Sequence, residues 1–300
     1  EKGVDGMGIM FDEWKALSRH PYLKEMPDGS LRHVGEILGD KSIEFLQSQP
    51  EDQPFFLYMS FNIAHAEDGD KRPGYHFQWP LAENGRFEDL EPLRPRLDES
   101  KYFEAAPGFL QDSMNRDRYF WRWDTPEKYR VNMRAYYRML AGMDRIVGRV
   151  LNTVEAMGVA DNTVVIYSAD NGYYMGDRGF AGKWSHYEES LRVPLIVCDP
   201  RAEESLHGRE LNETATGLDI PATILDLAGI PVPPKYQGRT LTPLLEGRTP
   251  QDWRTYLVTQ ESRSAGRSTV EIAEAAIEGG VDAIQLRDKN RSAKRRYETG

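Results

Sequence analysis

The chain has 300 residues, 39% hydrophobic and 11% aromatic, enough for one large α/β domain or two smaller ones. A formal net charge of −10 argues against nucleic acid as a main partner, and no apolar run is long enough to predict a membrane span. The single cysteine, Cys198, excludes any disulfide within the chain.

The first residues, EKGVDGMGIMFDEWK, have no basic start, no apolar middle and no initiator Met, so they read as the interior of a longer protein. Residues 36–49 carry apolar side chains at helical spacing and predict an amphipathic helix, with Ile37, Leu38, Ile43, Phe45 and Leu46 toward a core. Phe55–Phe61, FFLYMSF, reads as a buried strand, and His65 follows its carboxyl end. Residues 67–124 are polar, rich in proline and aromatics, and weakly periodic. They read as an insertion without clear elements that lines a substrate cleft.

Thr125-Pro126 opens a long helix, with Thr as N-cap and Pro in the first turn. Its predicted apolar face is Met133, Tyr137, Leu140, Met143, Val147, Leu151 and Val154, and Gly158 ends it. Thr163–Tyr167 and Val193–Val197 are β-branched strands. Asp219–Ala228 is a helix closed by Gly229. This alternation predicts a mostly parallel sheet with helices on both faces. From residue 255 the character changes. Tyr256–Gln260 is a strand, Ser268–Glu271 is a capping box opening a helix, and Ala283–Leu286 is a second strand, which together make one βαβ unit.

Asp170 and Asn171 stand just beyond the 163–167 strand, where open α/β sheets place their ligands. A carboxylate and an amide oxygen suit a hard cation, Ca²⁺ or Mg²⁺. Taken alone, Asp-Asn-Gly is more often a turn. The glycine-rich loop that follows carries Lys183, which in isolation reads as a solvated lysine. His65 alone is more often structural than catalytic.

Five motifs in order, FFLYMSFNIAH, SADNGYYMGDRG, GKW, YEESLRVPLIV and LDIPATILDLAGI, resemble the sulfatase family of the alkaline-phosphatase-like superfamily. The resemblance spans about residues 1–254 and implies that family's α/β fold, with the first strands of its sheet missing from this chain. It implies calcium at Asp170 and Asn171, and catalytic contacts to the sulfate from Lys183 and His65. In this chain Ala64 replaces the proline that usually precedes that histidine. The family's nucleophile is a formylglycine made from C/S-x-P-S/A-R. Cys198-Asp199-Pro200-Arg201 departs from that pattern, so no matching site for the modification is present.

With two metal-ligating residues and no nucleophile, weak metal binding and little turnover by this chain alone are expected. The implied ligand is a small anionic sulfate ester, of a sugar or small organic group. Family members are often exported. The segment 255–300, through YLVTQ and GGVDAIQLRDKN, resembles the start of thiamine-phosphate synthase, a TIM-barrel enzyme. That resemblance implies phosphate contacts from Gln285, Arg287 and Lys289, and makes the chain a chimera of two partial domains, 1–254 and 255–300. A transferase carried by the tail and a non-catalytic protein binding sulfated sugars are the two alternatives.

Overall fold

The computed structural model describes residues 12–248 except 14, 16, 18, 19, 71 and 73. Beyond 248 it describes two strands and positions 268, 271, 272, 274 and 275. The chain divides into two compact units, Glu1–Pro200 and Arg201–Gly300.

In the first unit, β1 (Leu23–Glu25) pairs antiparallel with β2 (Leu31–His33), which runs directly into α1 (Val34–Gln47). His33 caps that helix by accepting a hydrogen bond from Gly35 N at 3.0 Å, while Glu36 reaches back to the His33 N–H. The cap sets the helix start two residues before the predicted one. The buried stripe differs too. Val34, Gly35, Gly39, Ser42 and Leu46 are buried, whereas Ile37 and Leu38 are only half-covered. The reason is Gly39. A Cβ there would lie 2.6 Å from Ile146 Cγ2, so the glycine lets α1 press against the long helix α5 (Pro126–Ala156).

Helix α5 starts as predicted, with Thr125 accepting from Lys128 N at 3.2 Å. Its buried face is turned by about one residue, or ~100°. Ala135, Met139, Gly142, Ile146, Val150 and Val154 form the inner stripe, and of the predicted series only Met133 and Val154 are fully covered. Small side chains at Ala135 and Gly142 allow the close packing on that side. The predicted face is not wasted, because Tyr137 meets Phe87 edge-on at 5.9 Å. Ile63, Ala66, Phe77, Trp123, Met133, Ala135, Met139, Ile146 and Ala181 make up the largest apolar cluster.

Residues 55–61 do not form a buried strand. The segment joins no ladder among the described residues, and it alternates. Phe55, Leu57 and Met59 pack beside Leu46, Val150 and Val154, while Phe56 and Tyr58 point outward at 52% and 65% exposure. The period-two pattern is that of an extended chain, but a continuous apolar run does not reveal which of its faces turns outward. The 67–124 stretch does contain elements: a single 3-10 turn (Leu81–Glu83), α2 (Ser100–Glu104), α3 (Gly108–Gln111) and α4 (Met114–Arg122).

Val165–Ser168 (β3) and Leu195–Cys198 (β4), separated by the short helix α6 (Glu188–Leu191), pair antiparallel with Val165 opposite Cys198. A mostly parallel sheet is therefore not what the described residues of this unit show. Apolar strands carry no direction in their composition, and both described pairings in this unit are antiparallel.

In the second unit, α7 (Asp219–Leu227) ends near the predicted point and Gly229 takes φ +70°, the left-handed conformation of a helix stop. A further short helix, α8 (Thr242–Leu245), follows. β5 (Tyr256–Thr259) and β6 (Ala283–Leu286) pair parallel, as a βαβ unit requires. The capping box is present, with Glu271 N donating to Ser268 Oγ at 3.2 Å and Ser268 N donating to the Glu271 carboxylate at 2.7 Å. No helix among the described residues is long and apolar enough to cross a membrane.

Candidate functional site

Asp170 and Asn171 leave the end of β3, with Asp170 exposed and Asn171 half-buried. The Asn171 amide donates to Gly172 O at 2.8 Å, which turns its oxygen away from that carbonyl. The chain then folds back on itself. Gly172 N donates to Ser190 O at 2.9 Å, Tyr174 N to Gly182 O at 3.0 Å, and Gly176 N to Phe180 O at 3.0 Å. Tyr174 and Phe180 anchor this loop in a small core with Ala106 and Leu110. Lys183 follows at its end.

Helix α4 fixes that end. Ala181 N donates to Asn115 O at 2.9 Å, and Asn115 Nδ2 donates to Lys183 O at 2.5 Å. Gly182 lies between them at φ +84°, and a Cβ there would sit 2.5 Å from Asn115 Oδ1. Trp184, next in sequence, has φ +74° and is 62% exposed.

His65 sits on the turn after the 55–61 segment, following a cis peptide bond between Ile63 and Ala64. Its N–H donates to Asn62 O at 2.8 Å, and its carbonyl accepts from the buried Tyr22 hydroxyl at 3.1 Å. Its Nδ1 lies 2.7 Å from Ala66 O. A carbonyl only accepts, so this contact assigns the hydrogen to Nδ1.

What joins these segments is a cluster that the sequence did not single out. Asp68 accepts from Arg118 Nη2 at 2.8 Å and from the fully buried Arg122. Arg122 Nη1 also donates to the Tyr173 hydroxyl at 3.1 Å, two residues past Asn171. The Arg118 guanidinium lies over the Trp184 ring at 4.7 Å, beside Lys183. Burial by itself would raise the Asp68 carboxyl. The Arg122 hydrogen bond, the charges of Arg122 and Arg118, and His65 outweigh it and hold Asp68 below its usual range. Next to this cluster His76 is fully buried and kept neutral. Burial, and then the Arg122 charge, lower it to about 4.

These residues lie in the stretch read as featureless. Their one sequence signal is the i,i+4 spacing of Arg118 and Arg122, which puts both on one face of a helix. Of the tail residues, Gln285 lies in β6, while Arg287 and Lys289 fall outside the described residues. Cys198 is an exposed free thiol at the end of β4.

No group of three or more His, Cys, Asp or Glu side chains that would hold a metal forms among the described residues. Calcium takes six to eight oxygen ligands. Asp170 and Asn171 therefore do not by themselves fit a complete calcium site.

A family profile described as Sulfatase matches residues 5–230. Over 129 residues the chain is 40% identical to the N-acetylglucosamine-6-O-sulfatase of Bacteroides thetaiotaomicron, covering 42% of this chain and 23% of that protein. The structure of BT4656 in complex with its substrate D-glucosamine-2-N,6-O-disulfate superposes with a TM-score of 0.59 at 25% identity, covering 82% of this chain and 61% of that one. The phosphonate monoester hydrolase of Agrobacterium radiobacter superposes with a TM-score of 0.61 at 28% identity, covering 73% and 43%. The chain spans less than half the length of the curated relatives it matches. A profile match over most of the chain, on the segments that carry His65, Asp170, Asn171 and Lys183, makes this chain a member of the sulfatase family.

Proposed function

We propose that this chain forms the sulfate-holding part of a sulfatase acting on sulfate esters of sugars or small organic groups. Lys183 places a positive charge on the sulfate oxygens, where negative charge accumulates as the ester bond breaks. His65, with its hydrogen on Nδ1, presents Nε2 to contact the sulfate or to exchange a proton with the leaving oxygen. Asp170 and Asn171 supply two oxygen ligands to a Ca²⁺ or Mg²⁺ ion whose remaining ligands come from elsewhere. The observation that carries this reading is the Asp68–Arg118–Arg122 bridge. It ties the His65 turn, the loop after Asn171 and the Lys183–Trp184 segment into one cluster.

The chain contains no C/S-x-P-S/A-R sequence, so turnover by this chain alone is expected to be slight. Binding is the direct test. Titration of an aryl sulfate in the presence of calcium should give a measurable affinity that falls about tenfold or more in Lys183→Ala, as expected for loss of a charge-assisted contact. An affinity that does not depend on Lys183 rejects the reading. Calcium-dependent binding of sulfated sugars with no hydrolysis in any longer form of the protein would instead favour a binding protein.

A further inference from the structure

We propose that Arg118 and Trp184 wall a subsite that takes a sugar ring bearing a second anionic group beside the sulfate ester. The inference deepens the sulfatase reading and rests on it.

The first argument is charge. Arg118 and Arg122 share one carboxylate, Asp68, so the cluster keeps one positive charge in excess within a chain of net charge −10. Arg122 is fully buried and committed to Asp68 and Tyr173. Arg118 is the partner that reaches the surface, with a side chain 15% exposed. Among the described residues its one hydrogen bond runs from Nη2 to Asp68, and its Nε is shielded from water without an acceptor. A guanidinium has five N–H donors in a planar fork suited to carboxylates and sulfates. Most of that capacity is unspent.

The second argument is Trp184. A bulky residue at φ +74° is strained, and such strain persists only where the surroundings impose it. Here the neighbouring contacts hold the backbone, since Asn115 grips Lys183 O and packs under Gly182. The result is an indole 62% exposed, outside the three apolar clusters found among the described residues, with Arg118 against its ring. The C–H face of a pyranose packs on such a ring, and the cation fixes the ring's orientation. Trp184 is bonded directly to Lys183. Arg118 Nη1 also lies 3.6 Å from where a Cβ on Gly182 would stand, so the guanidinium and the indole both flank the backbone that carries Lys183. A sugar whose sulfate meets Lys183 would, on this proposal, set its ring by the indole and a second substituent by Arg118.

If Arg118 only pins α4 to Asp68, replacing it leaves the preference between sulfated sugars unchanged. Calorimetric titration of the whole chain separates the two. The probes are inorganic sulfate, glucosamine 6-sulfate and glucosamine 2-N,6-O-disulfate.

The wild type should bind the disulfate about tenfold more tightly than the monosulfate. Arg118→Gln should bring the affinities of the two sugars together, their ratio being the readout, and Arg118→Lys should keep part of the preference. Trp184→Ala should weaken both sugars several-fold and leave inorganic sulfate unchanged. Equal affinity of the wild type for the two sugars overturns the subsite. So does Arg118→Gln weakening inorganic sulfate as Lys183→Ala does, since Arg118 would then belong to the sulfate clamp. Should Arg118→Gln fail to fold, Trp184→Ala decides alone, and unchanged sugar binding overturns the inference. Lys183-dependent binding of the monosulfate without discrimination sinks only the subsite. Failure of all three probes to bind sinks the sulfatase reading with it.

Discussion

At Gly182 two demands meet: a backbone at φ +84° and room for Asn115 Oδ1 where a Cβ would stand. Alanine satisfies neither. Gly182→Ala should lower stability by about 2 kcal/mol, part from the left-handed backbone and part from the displaced Asn115, as read from urea unfolding. The same substitution should disturb the Lys183 backbone that Asn115 holds. Asp68 makes a different argument. Arg122 is 1% exposed, and Asp68 is the carboxylate that pairs it among the described residues. Asp68→Asn should cost about 3 kcal/mol, because a buried charge loses its partner, and adding Arg122→Met should recover much of the loss. Additive losses in the double variant would show that the pair is not coupled.

At the scale of elements, α1 and α5 meet through glycine. Gly39→Ala gains helix propensity of up to about 1 kcal/mol. It also drives a Cβ to within 2.6 Å of a methyl on Ile146, a β-branched side chain with little rotamer freedom in a helix. The net effect should be a loss of about 1 kcal/mol, and Gly39→Ala combined with Ile146→Ala, which removes the Cγ2 methyl, should lose less than the two changes separately. A stabilised Gly39→Ala would mean the helices can part at no cost. This contact also explains why the sequence placed the inner faces of both helices imperfectly. Apolar periodicity locates a stripe by its largest side chains, whereas here glycine and alanine mark the side of closest approach. Capping was more legible. His33, Thr125 and Ser268 each accept a backbone N–H at a helix start, and Thr125 and Ser268 were readable because threonine and serine are preferred N-cap residues whereas histidine is not.

For the whole molecule, pH exposes what burial has done. Burial lowers His33 to about 4, against a weaker opposite pull from Gln78 O and Glu36. Its Nδ1 lone pair accepts the Gly35 N–H, so protonation would also break the α1 cap. His76 is lowered to about 4 by burial and Arg122. The unfolded chain takes up these protons near pH 6.5, so it binds more protons than the folded chain between about 6.5 and 4. Stability should therefore be fully present above about 6.5 and fall as pH drops through that window, by on the order of 3 kcal/mol per histidine. Urea unfolding across the window checks this, and His33→Gln should flatten part of the slope. A flat profile in the wild type would show that neither ring is buried as described.

The motif order from FFLYMSFNIAH to LDIPATILDLAGI was enough to place the chain in its family, because each motif is a local string whose chemistry survives without tertiary context. The same holds for the turns at Gly158 and Gly229. Strand direction and the outward turn of Phe56 and Tyr58 were not readable, since pairing is a long-range property. Nor was the Asp68–Arg118–Arg122 cluster, whose members come from a loop and a helix some fifty residues further along the chain. The sequence by itself determined the family, the start of α5 and the glycine stops after α5 and α7, through patterns only a few residues long. The tertiary structure alone decided which faces are buried, which strands pair, and which charges stand beside Lys183, because those depend on contacts between segments far apart in the chain.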